Sequence, residues 1–249
     1  MIDSIRKLGK IILLGSFLGN VLVFSDVFSL NAQEVDLPPS CQGQLPTGKV
    51  RCNYRDAKRA GDNYVGDFLN GRPHGTGIYV YTSGDRYEGE FRNGLPNGKG
   101  TYIYKNDDRL EGTFKDGLIV SGKVIFANGD RYTGTFVPVI DIGSKAVKNE
   151  PSGRGEFTFA NGDRYVGEFF AGVPFGQGVF TRTDGTRCQG QFFNQALDGK
   201  GTCTFSTGLR YEGEFRGGVP HGVGTIIDSQ GKRYPGSFRN GQRQGEKSK

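Results

Sequence analysis

The chain has 249 residues, a formal net charge of +6 and a hydrophobic fraction of 35%, with 42 glycines and no tryptophan. That much glycine, against roughly 7% in ordinary domains, together with so little apolar material, excludes one large globular core. The glycines do not recur every third residue, which excludes a collagen-like helix.

Residues 1–32 differ in kind from the rest. Arg6, Lys7 and Lys10 precede the apolar run Ile11 to Phe24, and Leu30-Asn31-Ala32 ends in a small residue. This order reads as a secretory signal peptide cleaved after Ala32. The alternative is an uncleaved N-terminal anchor through residues 11–30, a stretch of about 20 residues, the length that just spans a bilayer. Asp26, Gly15, Gly19 and Asn20 weaken it. Either way the chain is expected to be exported, secreted or periplasmic. Cys41 follows Pro39-Ser40 and lacks the short aliphatic and small-residue context of a lipidation site.

Residues 33–63 hold the first two of four cysteines. Cys41-Gln42-Gly43-Gln44-Leu45 mirrors Cys188-Gln189-Gly190-Gln191-Phe192. Cys52 and Cys203 follow on the returning limb, each two residues before an aromatic, Tyr54 or Phe205. Cys41 and Cys188 stand in a slot that recurs through the chain at Tyr64, Tyr87, Leu110, Tyr132, Tyr165, Tyr211 and Tyr234, mostly in steps of 23 residues. Residues 33–63 are therefore expected to form a degenerate hairpin that caps an array.

From residue 64 to 245 one unit repeats, and a fixed period in this range marks a stack of supersecondary units. In the copy that starts at Tyr87, Tyr87, Gly89 and Phe91 alternate with Arg86, Glu88 and Glu90, the period-2 pattern of a strand. Asn93-Gly94-Leu95-Pro96-Asn97-Gly98 reads as the turn. A second strand follows, with Gly100, Tyr102 and Tyr104 on one face and Thr101 and Ile103 on the other. Each unit is thus a β-hairpin, and the glycine between aromatic positions leaves a gap where a neighbouring ring can lie on bare backbone. A lone hairpin is marginal in water, so the hairpins must stack.

These residues resemble the MORN (membrane occupation and recognition nexus) repeat, whose pattern is roughly Tyr-x-Gly-x-Phe-x-Asn-Gly-x-x-His-Gly-x-Gly. The resemblance implies an all-β fold, an elongated single antiparallel sheet of tandem hairpins. The unit at 110 is one residue short around Ile119-Val120-Ser121, and the unit at 132 has its turn replaced by a loop insertion over 137–151, read either as a surface insertion or as a contact for a partner. The last unit keeps Tyr234, Gly236 and Phe238 and stops without a second apolar strand. Residues 246–249 are a tail.

Stacked hairpins should place Arg86, Arg109, Arg131, Arg164, Arg187, Arg210 and Arg233 side by side in a ladder able to hold phosphates. Glu88, Glu90, Glu111, Glu168, Glu212 and Glu214 share that face and Asp85, Asp108, Asp130 and Asp163 precede their arginines, so cross-strand pairing is expected to neutralise much of the charge. Toward the end, Lys232, Arg233, Arg239 and Arg243 form the candidate contact for an anionic or lipid surface. The rings are needed inside the array, so the outer face is expected to offer no apolar wedge for insertion.

The sequence shows no enzyme site. His74 and His221 read as turn residues rather than metal ligands. Gly98-Lys99-Gly100-Thr101 and Gly199-Lys200-Gly201-Thr202 lack the helix that a phosphate loop needs. No catalytic residue, metal or cofactor is expected. Cys41 is expected to pair with Cys52 and Cys188 with Cys203, each pair spanning one hairpin in an oxidising compartment. The functional expectation is a non-catalytic binding or scaffolding module for a protein partner. The alternative is a peripheral membrane module for anionic phospholipid headgroups of the phosphoinositide kind, and no nucleic acid is expected.

Overall fold

The computed structural model describes residues 39–56, 58–140 and 147–245. The expected signal peptide or anchor, residues 33–38 of the capping region and the tail lie outside the described residues. The fold is all strand, and it divides into two compact units that meet in sequence at Asn149 and Glu150. No helix among the described residues is long and apolar enough to cross a membrane.

In the first unit, β1 (Ser40–Gly43), β2 (Gly48–Asn53), β3 (Asn63–Leu69), β4 (Arg72–Val80), β5 (Arg86–Arg92), β6 (Leu95–Ile103), β7 (Arg109–Lys115), β8 (Leu118–Ile125) and β9 (Arg131–Ile140) pair antiparallel, each with its neighbours in sequence. The second unit repeats the scheme from β10 (Val147–Thr158) through β11 (Arg164–Phe170), β12 (Val173–Thr181), β13 (Arg187–Phe193), β14 (Ala196–Thr204), β15 (Arg210–Arg216), β16 (Val219–Ile227) and β17 (Arg233–Arg239) to β18 (Gln242–Arg243).

Three readings of the sequence need correction. The hairpin turn is two residues, not six: Asn93 and Gly94 take φ of 53° and 88°, the left-handed pair that suits the twist of a tight hairpin, and β6 begins at Leu95. Pro96 fits inside this strand because it sits at a bulge, opposite Phe91, where a ladder N–H is not needed. His74 and His221 accordingly lie within β4 and β16 rather than in turns. Of the stretch expected as a loop over 137–151, the described residues are strand, since β9 runs to Ile140 and β10 starts at Val147, and residues 141–146 lie outside the described residues.

The short unit at 110 has a register explanation. In the hairpin of β5 and β6 the pairs Gly89–Gly100 and Phe91–Pro96 bracket one residue on the first strand and three on the second. In that of β7 and β8, Thr113 pairs with Ser121 and Phe114 with Ile119, so Val120 alone bulges. The missing residue comes out of the bulge, and the glycine pair Gly112–Gly122 keeps its place.

The core is a row of rings on glycine. Tyr87 packs edge-on against Phe91 of its own strand at 5.0 Å between centroids and against Phe114 of the next hairpin at 5.1 Å. Tyr165 and Tyr211 repeat this with Phe169 and Phe192, and with Phe215 and Phe238. Such edge-on pairs add about 0.5–1.5 kcal/mol beyond area burial. Each tyrosine hydroxyl then donates to the carbonyl three residues on, as in Tyr87 to Glu90 at 3.1 Å and Tyr211 to Glu214 at 3.0 Å, so the buried oxygen has a partner.

Two units solve the same problem differently. Where the leading tyrosine is replaced by Leu110 or Cys188, the proline slot of the second strand holds Ile119 or Leu197, and that aliphatic side chain covers the glycine pair instead. A β-carbon on Gly112 would stand 2.7 Å from Ile119 Cδ1, and one on Gly190 would stand 2.9 Å from Leu197 Cδ1. In four other units the slots hold tyrosine with proline: Tyr64 with Pro73, Tyr87 with Pro96, Tyr165 with Pro174, Tyr211 with Pro220. In these six hairpins cover comes from one strand or the other.

Candidate interaction surface

The outward face carries the arginines, and the ladder is spaced more widely than expected. Pairing runs Val80, Arg86, Ile103, Arg109, Ile125, Arg131 across the first unit and Arg164, Thr181, Arg187, Thr204, Arg210, Ile227, Arg233 across the second. A β-branched residue stands between successive arginines, which are therefore about 10 Å apart, two strand spacings.

Most ladder guanidiniums are engaged by acids of the same face. Arg86 meets Glu88 at 2.9 Å, Arg109 meets Glu111 at 2.7 Å and Arg210 meets Glu212 at 2.6 Å, each along one strand rather than across strands. Arg164 with Glu156 and Arg233 with Glu212 pair between strands. Arg187 donates to Gln189 at 2.7 Å. All of these pairs are exposed, so each contributes only about 0–1 kcal/mol to stability, but each sets a carboxylate beside the guanidinium, with which a phosphate would have to compete.

The aspartates before the arginines do something else. Asp85 Oδ1 accepts from the Lys105 amide at 2.9 Å, Asp108 Oδ1 from the Ala127 amide at 2.8 Å and Asp163 Oδ1 from the Thr183 amide at 2.9 Å. Asp62 adds the Tyr79 hydroxyl to the same role at 2.8 Å. These carboxylates tie the connecting turn of one hairpin to that of the next, and none of the four forms an ion pair with a ladder arginine among the described residues.

A second set of acids holds the bulges. Asp67 Oδ2 accepts from the Thr76 amide at 2.9 Å and its hydroxyl at 3.0 Å, which holds the Asp67 carboxyl below the usual carboxylate range. Glu90 takes the Lys99 amide at 2.8 Å in the equivalent place.

The four candidate anion contacts are not gathered into one site. Lys232 and Arg233 stand at the start of β17 and Arg239 at its far end, about 20 Å along a strand. Lys232 Nζ lies over the Tyr234 ring, 5.3 Å from its centroid, and Arg233 pairs with Glu212 at 3.1 Å. Arg243 donates to the Pro235 carbonyl at 2.8 Å, covering a backbone acceptor on the last long strand.

Both cysteine pairs are bonded, Cys41 with Cys52 and Cys188 with Cys203, and each joins residues directly opposite in one hairpin. Such bonds belong to an oxidising environment. Among the described residues no three His, Cys, Asp or Glu side chains are grouped to hold a metal ion.

One surface feature contradicts the expectation of no apolar wedge. Phe170, Phe175 and Phe193 are 63%, 40% and 61% exposed and contact one another in sequence, with centroids 5.9 Å apart in both pairs. The signal was present in the repeat alignment: Phe170 and Phe193 occupy the slot held by Arg92, Arg216 and Arg239, and Phe175 that held by His74 and His221.

A profile described as MORN repeat matches residues 64–86, 87–109, 111–131, 147–164, 165–187, 188–210, 211–233 and 234–246, more than half of the chain. The chain belongs to the MORN repeat family. Among curated proteins none matches it. Among solved structures, the MORN array is similar to the TCP domain of SAS-4 of Drosophila melanogaster, solved with a proline-rich motif of Ana2. That match has 11% identity and a TM-score of 0.42, over 72% of this chain and 92% of the other. The TCP10 domain of Danio rerio CPAP matches at 15% identity and a TM-score of 0.27, over 83% and 100% of the two chains.

Proposed function

We infer that this MORN array is an exported, non-catalytic binding or scaffolding module whose ligand is another protein. The observation that carries this reading is the engagement of the guanidinium ladder. Arg86, Arg109, Arg164, Arg210 and Arg233 already hold acids of their own face, so a row of lipid phosphates would have to displace those acids one by one. The two disulfides support export, since the cytosol keeps thiols reduced.

Co-sedimentation with vesicles of 7:3 phosphatidylcholine and phosphatidylserine tests it against the membrane reading. Binding is expected to be weak and to fall steeply with salt, because attraction at a charged surface is screened over about 8 Å at physiological ionic strength. Replacing Arg233, Arg239 and Arg243 by serine should remove what remains. Tight binding that persists at high salt and in the triple variant would reject the protein-binding reading.

A further inference from the structure

The exposed phenylalanines lie at one level of the second unit, and beyond Asp198 that level carries two unpaired arginines. Phe170 is the last residue of β11, Phe175 stands on β12 and Phe193 ends β13. At the same level on the next four strands come Asp198, Arg216, His221 and Arg239, as the pairs Gly199–Phe215, Arg216–Val219 and Gly222–Phe238 require. Asp198 is occupied by the Gly217 amide at 3.1 Å. Arg216 and Arg239 are exposed and, among the described residues, have no acid within ion-pair distance, in contrast to most of the ladder.

The rings are tilted by 50° and 55° to one another rather than stacked flat. In the first unit the matching level carries Leu69, His74, Arg92, Asn97 and Lys115, so a continuous aromatic strip is peculiar to the hairpins of the second.

We propose that this strip docks an extended peptide segment of a protein partner, apolar at alternate positions over Phe170, Phe175 and Phe193 and acidic where it passes Arg216 and Arg239. The proposal rests on the protein-binding reading above and specifies its site. Three rings at these exposures offer roughly 250–400 Å², well below the ~800 Å² per partner that a stable dimer buries. That area suits a few side chains of a short segment. Alternate residues of an extended chain stand about 6.7 Å apart on one side, close to the 5.9 Å between successive rings, so neighbouring rings match residues i and i+2. Free guanidiniums beside an apolar anchor add orientation and select against basic segments.

Selection of a phage-displayed random dodecapeptide library on the disulfide-bonded full chain tests it, followed by fluorescence polarisation with the enriched peptides. Enrichment of sequences with two apolar residues at i and i+2, flanked on one side by Asp or Glu, is expected. Binding should fall at least 10-fold in Phe175→Ser with Phe193→Ser, and the acidic preference should reverse in Arg216→Glu with Arg239→Glu. Phe193 is 61% and Phe175 40% exposed, and unchanged circular dichroism will show that the variants fold. Peptides that bind equally to the Phe variants would overturn the site and leave protein binding standing. No enriched peptide, with vesicle binding lost in the Phe variants, would overturn both in favour of a lipid surface. A concentration-dependent dimer in sedimentation velocity that the Phe variants abolish would assign the strip to a second copy and overturn the peptide.

Discussion

Tyr87 lies across the bare backbone of Gly100: a β-carbon built on that glycine would stand 2.5 Å from the tyrosine Cζ and 2.7 Å from Cε2. The Tyr165–Gly178 and Tyr211–Gly224 pairs repeat the contact. Glycine at these strand positions is thus a packing residue, chosen because the neighbour needs its space. Gly100→Ala should cost about 1–3 kcal/mol through displacement of the ring, read as a lower midpoint in urea with little change in slope. An alanine variant as stable as the parent would mean that the ring does not depend on that surface.

Leu197 replaces the tyrosine ring as cover for Gly190 and Gly201, and only 2% of it is exposed. Leu197→Ala is expected to cost about 2–5 kcal/mol, since it removes both apolar burial and the lid over the glycine pair. Pro96→Ala, in the same slot of a hairpin where Tyr87 does the covering, should cost much less. Equal losses in the two variants, measured by thermal unfolding, would contradict the exchange of cover between strands.

The disulfides close loops of 11 and 15 residues within single hairpins. Loop-closure entropy then gives each about 2–3 kcal/mol. Replacing Cys188 and Cys203 by alanine should lower stability by about that amount, with faster amide exchange centred on β13 and β14. Non-reducing peptide mapping should return the fragments 41–52 and 188–203 as the two linked species, and a Cys41–Cys188 link would refute the pairing.

Alkaline pH should unfold the array through its tyrosines. Burial pushes the Tyr211 hydroxyl up to about 12, with Glu214 adding to it, and pushes Tyr54 to about 12 against the opposing pull of Arg59. Tyr64, Tyr87 and Tyr165 move the same way by burial. A raised value means that the folded state holds the proton more tightly than the unfolded chain, which releases it near pH 10. The contribution to stability is therefore full below about pH 10 and is lost as the pH rises toward 12 and beyond. Absorbance at 295 nm should show tyrosine ionisation delayed and then coincident with loss of the strand signal. Free titration near pH 10 in the intact fold would contradict the burial.

The repeat and its period, the two strands of each unit, the cysteine partners and the glycine gaps were all legible in the chain, because each is written in spacing along a single unit. Tyr87, Gly89 and Phe91 announce a strand face without reference to any neighbour. What lay beyond the sequence depended on which units touch. The two-residue turn at Asn93-Gly94 looks like six residues in the sequence because Pro96 and Gly98 are turn formers in isolation, whereas the bulge opposite Phe91 makes both at home in a strand. The acids before and after the arginines have the same charge but different work: Asp85 reaches an amide one hairpin on, while Glu88 stays on Arg86. Reach decides between them, and reach is a property of the folded register. The aromatic strip followed the same rule. Phe169 and Phe170 are adjacent and chemically identical, yet the alternation of the strand buries the first in the core and leaves the second on the outer face beside Phe175, where the stacking of hairpins joins three separate substitutions into one surface.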